Sequence, residues 1–225
     1  MTIDSSGTSM LHDPAAAAQL ARRRDRRRDE ILVAAERILS REGPRATTVR
    51  RIAAAIGVSS AALYGYFPDK DAILVAICER TARGLLRLNQ GVAEGSAPAI
   101  ARLRQILANC VEWGLDHPHV YRLLFAPDSD AAPILLEAGR ALLRESFQQV
   151  AAVAREAERD GVLAPETADA ATEACWATCH GLTMMLIARA RASTRLPAKA
   201  LADFTLDHLL AGLGGPQMAT RRPGS

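Results

Sequence analysis

Residues 47–74 read TTVRRIAAAIGVSSAALYGYFPDKDAIL, a stretch in which residues that start and stop helices recur at short intervals. Thr48 can cap a short helix over 49–56, and Gly57, which adopts a left-handed backbone without strain, would end it. Ser59 can cap a second short helix immediately downstream. The stretch therefore predicts two short helices separated by a tight turn.

The side chains inside this stretch suit two helices that pack directly on each other. Ala53 is small enough for a close approach, Val58 and Leu63 can fill the shared core, and Pro68 closes the second helix. This arrangement of small, turn-forming and apolar residues is typical of a helix-turn-helix.

Outside this stretch, apolar residues also recur at helical spacing, and no segment alternates as a strand would. The sequence therefore predicts an all-α protein. A first helix would follow a tail at 1–21 and the arginine run at 22–28, and would end at Gly43-Pro44. Further helices are predicted at 70–92, 99–116, 118–125, 133–160, 165–192 and from Pro197 onward.

The composition excludes several classes of protein. The chain has 225 residues, 49% hydrophobic and 24% charged, which is too apolar for a disordered chain. Its four cysteines include no C-x-x-C pair, so we expect neither a disulfide scaffold nor a metal or cofactor. No Lys or Arg precedes Arg22, and the uncharged run 174–188 is shorter than the roughly 20 residues of a membrane helix. We expect a cytoplasmic protein without a membrane partner.

Charge is distributed unevenly along the chain. Residues 22–71 contain 12 Lys and Arg against 7 Asp and Glu, whereas the remainder contains 16 against 18. A basic segment favours a polyphosphate partner, because each neutralised phosphate releases condensed counterions. An excess of this size is also within ordinary fluctuation, so charge alone leaves both interpretations open.

The pattern T-V-x-x-I-A-x-x-x-G-V-S-x-x-x-L-Y-x-Y-F-x-x-K is met at every fixed position from Thr48 through Lys70. It resembles the DNA-binding domain of the TetR family of transcriptional regulators, over roughly residues 22–75. The resemblance implies a homodimeric regulator, commonly a repressor, that binds a palindromic operator and is nucleoid-associated when bound. It also implies a domain order: a disordered tail (1–21), a three-helix helix-turn-helix domain (22–71), a larger helical effector-binding and dimerisation domain (72–213) and a disordered C-terminal tail (214–225).

The same resemblance assigns side chains that contact double-stranded DNA. Arg50 is the candidate for reading a base edge, because a guanidinium can bind guanine O6 and N7 together. Lys70 would add its charge at a helix N-terminus to a phosphate. The full set of candidates is Thr48, Arg50, Arg51, Ser60, Ala61, Tyr64, Tyr66 and Lys70.

Two departures from the family pattern affect this expectation. Arg51 stands where many relatives have an acidic residue, which removes a capping box and opposes the helix dipole by roughly 0.3 to 1 kcal/mol unless a phosphate is near. The recognition helix, 60–66, contains no Arg, Lys, Asn or Gln. Discrimination must then come from Arg50, DNA shape and the arginine run 22–28, which lies either along the minor groove or in solvent. A sequence-tolerant DNA-binding protein is therefore the main alternative.

A second motif, Trp176 followed by His180-Gly181, resembles a TetR C-terminal subgroup with a Trp-His-Gly signature. It implies dimerisation through the last two helices and a pocket for a small apolar or aromatic effector. The candidate pocket residues are aromatic or soft, and for each the alternative is an ordinary core position: Trp113, Tyr121, Phe125, Phe147, Trp176, Cys179, His180 and Met184.

Three more interpretations concern the helix around Trp176. Cys179 and His180 could serve an enzyme, but no base and orienting acid stand at motif spacing, so we expect no enzyme. Cys175 and Cys179 could bind a soft metal or form a redox pair, although buried structural thiols are the default. Gly181 is expected to allow close helix packing.

Overall fold

The computed structural model describes residues 14–125, 133–189 and 196–214, and within these ranges the chain is helical, which confirms the predicted all-α fold. None of the described helices combines the length and the apolar character needed to cross a membrane. The helices are α1 (Pro14–Glu42), α2 (Val49–Ala55), α3 (Ser60–Tyr64), α4 (Lys70–Ala93), α5 (Ala99–Asp116), α6 (Pro118–Phe125), α7 (Pro133–Arg159), α8 (Ala168–Arg189) and α9 (Ala198–Leu213).

The chain divides into two compact units, with the boundary between Ala76 and Ile77. The sequence predicted a boundary between 71 and 72, at the start of α4. The observed boundary lies inside α4 instead, because the first turns of that helix bury Ile73 and Leu74 in the first unit.

The first unit contains the predicted helix-turn-helix. Helix α1 packs on α2, and α2 packs on α3. The hydroxyl of Thr48 accepts from the Arg51 amide at 3.3 Å, and that of Ser59 accepts from the Ala62 amide at 3.2 Å, so both predicted caps are confirmed. Gly57 has φ of 69°, the left-handed turn that favours glycine. The largest buried side chains of this unit are Ile31, Leu39, Ile52, Leu63, Phe67, Ile73 and Leu74.

The predicted tail at 1–21 is wrong from residue 14 onward, because α1 begins at Pro14 and includes the whole arginine run. The physical reason lies in residues 14–24, PAAAAQLARRR, since proline suits a first helical position and Ala, Leu, Gln and Arg are strong helix formers. Residues 1–13 lie outside the described ranges, as do 215–225 of the predicted C-terminal tail. Gly214, where that tail was predicted to begin, pairs with Leu163.

In the second unit, α5 packs against α7, α8 and α9, and α6 packs against α7. Its core includes Leu103, Ile106, Leu107, Val153, Ala154, Ala157, Ala171, Cys175 and Leu206. Helix α8 begins at Ala168 rather than at the predicted 165, because the Glu158 carboxylate accepts from the Thr167 amide at 2.6 Å and from the Ala168 amide at 3.1 Å. A carboxylate on the first amides of a helix stabilises that start. The predicted end at 192 lies outside the described residues.

Glycines allow the helices of this unit to approach closely at two points. A Cβ at Gly139 would lie 2.5 Å from the Leu124 carbonyl oxygen, and one at Gly114 would lie 2.9 Å from the Tyr121 ring and closer still to the Thr183 methyl. Gly181 has no such role, because a Cβ there would meet nothing within 4 Å. The prediction that Gly181 permits close packing is therefore wrong for the contacts within the chain.

Candidate functional site

The first candidate surface is the start of α2. Arg50 is the second residue of this helix, is exposed, and has no bonded partner within the described part of the chain. The Thr48 side chain is half-buried and already accepts from the Arg51 amide. The structure thus leaves the Arg50 guanidinium with all its donors free for an external acceptor.

Arg51 differs from the sequence-based expectation, because it has a partner within the chain. Its two terminal nitrogens donate to both carboxylate oxygens of Glu42 at 2.8 and 2.6 Å, and one of them also reaches the Ala46 carbonyl at 3.3 Å. The hydrogen bond from Arg51 lowers the pKa of Glu42 below its ordinary value. Glu42 therefore supplies, from α1, the negative charge that the missing capping box would have placed at the start of α2.

The recognition helix α3 presents small groups and one aromatic ring. Ala61 is exposed, Ser60 is half-buried, and Tyr64 is 56% exposed although it is a large aromatic residue. Tyr66 follows the helix and is half-buried. An aromatic side chain with a free hydroxyl beside small residues suits contact with a phosphate and with thymine methyl groups.

Lys70 begins α4 and is half-buried, and its ammonium donates to the Pro44 carbonyl at 3.4 Å. The Asp69 carboxylate accepts from the Ala72 amide at 2.7 Å and caps the same helix, as predicted. One acceptor leaves the Lys70 ammonium two further protons for an external anion.

The arginine run is a helical segment rather than an extended arm. Arg24 donates to the Gly65 carbonyl at 3.3 Å and Arg28 to the Tyr66 carbonyl at 3.0 Å. The Arg28 guanidinium also lies 4.1 Å from the centre of the Phe67 ring, a cation–π contact. Of the two alternatives that the sequence left open, a groove or phosphate contact stays a prediction. The other was a solvated run that continues into the first helix, and the run does lie in α1, which is fastened to the residues directly after α3.

The second candidate site is a cavity of about 70 Å³ inside the second unit. Seven of the eight predicted pocket residues line it, namely Trp113, Tyr121, Phe125, Phe147, Trp176, Cys179 and His180. Met184 does not, and Thr183 takes its place. At 100° per residue, Thr183 returns to within about 20° of Trp176, whereas Met184 is about 80° away. The sequence spacing alone therefore favours Thr183 over Met184 as a pocket residue on the same face as Trp176.

Sequence reasoning missed the part of the lining that other helices contribute. Ala82, Leu85 and Leu86 come from α4, Leu107 and Cys110 from α5, and Leu142, Leu143, Ser146 and Val150 from α7. These are ordinary aliphatic or small residues at helical spacing, so nothing in the sequence separates them from the core. Within the part of the chain that the structure describes, the lining contains no Lys, Arg, Asp or Glu.

Tyr121 and His180 form the polar centre of the cavity. The Tyr121 hydroxyl lies 2.9 Å from His180 Nδ1, and in the neutral Nε2–H tautomer the ring nitrogen accepts this bond. The His180 ring also stacks on Trp176, with ring centres 5.1 Å apart and planes 4° from parallel. Burial raises the pKa of the Tyr121 hydroxyl and lowers the pKa of His180, so both groups are held neutral.

The cysteines are buried thiols. Burial raises the pKa of Cys175 to about 12 and that of Cys179 well above its ordinary value. Cys179 donates weakly to the Leu107 carbonyl at 3.8 Å, and His180 bonds Tyr121, so the two residues do not form a nucleophile–base pair. Across the described ranges, no three His, Cys, Asp or Glu residues are grouped as metal ligands.

The lowered pKa of His180 predicts a pH dependence of stability. Between the folded and unfolded pKa values the unfolded chain binds the proton and the folded chain does not, so stability falls as pH drops below the ordinary value of 6.5. We expect urea denaturation between pH 7.5 and 5 to show a steeper loss for the native chain than for His180→Asn. Parallel curves for the two proteins would contradict this assignment.

Among the described residues, four side chains of α5 and α7 donate hydrogen bonds to the part of α4 that lies in the second unit. Trp113 Nε1 donates to the Thr81 carbonyl at 3.3 Å, and Gln149 Nε2 donates to the Leu86 carbonyl at 2.8 Å. The others are Asn109, which donates to the buried Asn89 amide oxygen at 2.9 Å, and Arg102, which donates to the Ala93 carbonyl. Because Trp113 also lines the cavity, the cavity wall and the position of α4 are physically linked.

Comparison with known families gives two matches. Residues 31–77 match the family described as bacterial regulatory proteins, tetR family, and residues 103–209 match a tetracyclin repressor-like C-terminal domain. The two matches together cover about two thirds of the chain.

Among curated proteins, the nucleoid occlusion factor SlmA of Haemophilus ducreyi is 35% identical over 86 residues, which are 38% of this chain and 42% of that protein. The chain spans about half the length of the curated relatives that it matches.

Solved structures share the fold at low sequence identity. A TetR/AcrR-family transcriptional regulator of Thermobifida fusca superimposes with a TM-score of 0.67 at 24% identity, covering 83% of this chain and 97% of that one. SmeT, the repressor of a Stenotrophomonas maltophilia multidrug efflux pump, gives 0.68 at 21% identity, covering 88% and 94%. With a helix-turn-helix unit followed by a helical unit that contains a cavity, and with both units matched separately, the chain belongs to the TetR family of bacterial regulatory proteins.

Proposed function

We propose that the protein is a DNA-binding transcriptional regulator, acting as a repressor, that leaves its operator when a small uncharged apolar or aromatic compound enters the cavity. The observation that carries this proposal is the exposed surface of the helix-turn-helix. Arg50, Ala61 and Tyr64 are all exposed there. In an ordinary helical hairpin, we would expect such positions to hold a buried leucine or a residue engaged in a salt bridge. Candidate DNA contacts remain those predicted from the sequence.

The protein would bind DNA as a dimer through α8 and α9. Helix α8 exposes Ala177, Gly181 and Met185, and α9 exposes Phe204 at 59%. These apolar or small residues are exposed in a single chain, and a partner subunit would cover them. Dimerisation also provides two readers, which match the two half-sites of a palindromic operator.

The cavity favours an uncharged effector. Among the residues that the structure describes, its lining is aromatic and aliphatic, with the neutral Tyr121–His180 pair as the polar centre and no charged side chain. A carboxylate or ammonium group would lose its hydration without gaining a counter-charge, which costs far more than burying a ring. A neutral compound with one hydrogen-bonding group opposite Tyr121 and His180 fits this environment.

The two tryptophans allow a direct test of this effector class, since Trp113 and Trp176 both line the cavity and are the only ones in the chain. We expect 2-naphthalenemethanol to change tryptophan emission at a concentration at least tenfold below that of 2-naphthoate. Trp113→Phe and Trp176→Phe each leave one tryptophan and should both retain the response. Equal affinity for the alcohol and the carboxylate would contradict an uncharged cavity.

The signal would travel from the cavity to α4 through Trp113. Replacement of Trp113 by Phe keeps a ring in the cavity and removes the bond to the Thr81 carbonyl, a loss of about 1 kcal/mol. We therefore expect amides of α4 near Thr81 to exchange about fivefold faster with deuterium in this variant. Trp176→Phe, which lies in the same cavity without a bond to α4, is the matched control and should leave these amides unchanged.

DNA binding is tested by fluorescence anisotropy against the intergenic DNA upstream of the protein's own gene and against a scrambled duplex, at two salt concentrations. A preference of about 1,000-fold or more for the native fragment would support a specific regulator. Equal, steeply salt-dependent binding to both duplexes would support sequence-tolerant binding to the chromosome, which is the second candidate function. Absence of binding to either duplex would overturn the proposal.

The second candidate function is sequence-tolerant binding to the chromosome. Two observations favour it: apart from the buried Leu63, α3 carries only small side chains and Tyr64, and curated relatives that the chain matches are named nucleoid occlusion factors. In that case phosphate contacts would dominate the affinity.

A further inference from the structure

The N-terminal part of α1 and the end of α3 enclose an open basic groove in the first unit. The groove has a volume of about 810 Å³ and is lined by Ala17, Leu20, Ala21, Arg23, Arg24, Arg26, Arg27, Glu30, Gly65 and Tyr66. Among the described residues, four arginines and one acidic residue therefore line the groove. The match to the family model begins only at residue 31, so it does not include this part of α1.

The arginines of the groove differ in how many donors they have available. Arg27 forms an ion pair with Glu30 at 2.7 Å, so the acidic residue is already neutralised. Arg24 uses one terminal nitrogen on the Gly65 carbonyl. Arg23 and Arg26 are exposed and have no bonded partner within the described residues. The groove thus holds uncompensated positive charge.

The groove is held in a fixed position beside the recognition helix. Helix α1 continues without a break from Pro14 to Glu42, and Arg24 and Arg28 tie it to the carbonyls of Gly65 and Tyr66, directly after α3. A charge presented by a fastened helix loses less conformational freedom on binding than one on a free arm. Tyr66 lines the groove and is also a candidate phosphate contact, so the groove continues the predicted DNA surface.

We propose that this groove binds the phosphodiester backbone of DNA flanking the segment that α3 contacts, with Arg23 and Arg26 as the principal phosphate contacts. This inference rests on the proposed function, because it takes DNA as the ligand of the first unit. It adds a second point of contact that extends the bound site outward and contributes affinity without base recognition.

The test is the salt dependence of binding by the full-length double variant Arg23→Ala/Arg26→Ala. Each phosphate contact contributes about 0.9 to the slope of log K against log salt, and the double variant removes two contacts from each subunit. The slope should therefore decrease by about 2 per bound subunit, or about 4 for a dimer, on a long duplex. The hydroxyl-radical footprint should also shorten at its outer ends. Alanine is the best helix former, so these two exposed helical positions tolerate the change.

The matched control removes the same charge elsewhere. Arg83 and Arg87 are exposed on the part of α4 that belongs to the second unit, and Arg83→Ala/Arg87→Ala should leave slope and footprint unchanged. An equal slope change in both double variants would show that the effect comes from net charge alone, and it would overturn the proposal that the groove binds DNA.

The two proposals fail in different ways. In one case, Arg23→Ala/Arg26→Ala leaves the salt slope and the footprint unchanged while the native chain still prefers its own upstream DNA. This result would overturn the groove proposal and leave the proposed regulator function standing. A salt slope that decreases equally on native and scrambled duplexes, without sequence preference, would support phosphate binding in the groove and contradict the specific regulator.

Discussion

Replacement of Arg102 by alanine should lower the free energy of unfolding by about 3 kcal/mol, measured by urea denaturation at neutral pH. Arg102 is a charged residue that is only 5% exposed. Its guanidinium donates to the Ala97 carbonyl at 2.7 Å, to the Ala93 carbonyl at the end of α4, and to the Glu156 carboxylate of α7. The substitution removes all three hydrogen bonds of a buried side chain, each of which contributes roughly 1 kcal/mol, while the Ala97 and Glu156 acceptors are partly exposed to solvent.

Arg104 is the matched control, because it lies two residues further along α5 and also forms ion pairs. It contacts Asp207 at 2.6 Å and Asp203 at 3.1 Å, but these pairs lie at the surface. Surface ion pairs contribute little, so Arg104→Ala should cost less than about 1 kcal/mol. Equal losses for the two variants would show that burial does not decide the contribution of Arg102.

Replacement of Arg50 by alanine should remove about 1 to 3 kcal/mol of discrimination at one base pair of each half-site, a loss of roughly 5- to 150-fold. The structure supports this choice, because the Arg50 guanidinium is exposed and has no bonded partner within the described residues, whereas that of Arg51 is engaged by Glu42. The measurement is competition binding with duplexes that carry single base changes across the operator.

Lys70→Gln serves as the comparison for Arg50→Ala. It removes a charge at a candidate phosphate contact, so it should weaken binding to every duplex by a similar factor and reduce the salt slope by about 1 per bound subunit, or about 2 for a dimer. If Arg50→Ala instead behaved in this uniform way and left the base preference intact, direct readout by Arg50 would be wrong.

Local rules were sufficient for most element boundaries. Caps at Thr48, Ser59 and Asp69, together with the left-handed glycines, predict where the helices begin and end, because these residues act on the backbone within a few positions. The same rules failed at residues 14–21, where high helix propensity was read as a tail. They also misplaced the start of α8, which a carboxylate from another helix sets.

The features of the two candidate sites also divide into those predictable from local spacing and those that depend on how the helices pack. The helix-turn-helix and the aromatic face of α8 with Trp176 and His180 were predictable from the residues alone, because both follow from spacing along one or two adjacent helices. Three contacts follow only from the folded chain: Glu42 binds Arg51, the arginine run is fastened to the residues directly after α3, and Trp113 joins the cavity wall to α4. These contacts join residues 9, 41 and 32 positions apart in the chain. Pairings at such separation depend on how whole helices pack, and residue spacing carries no record of that packing.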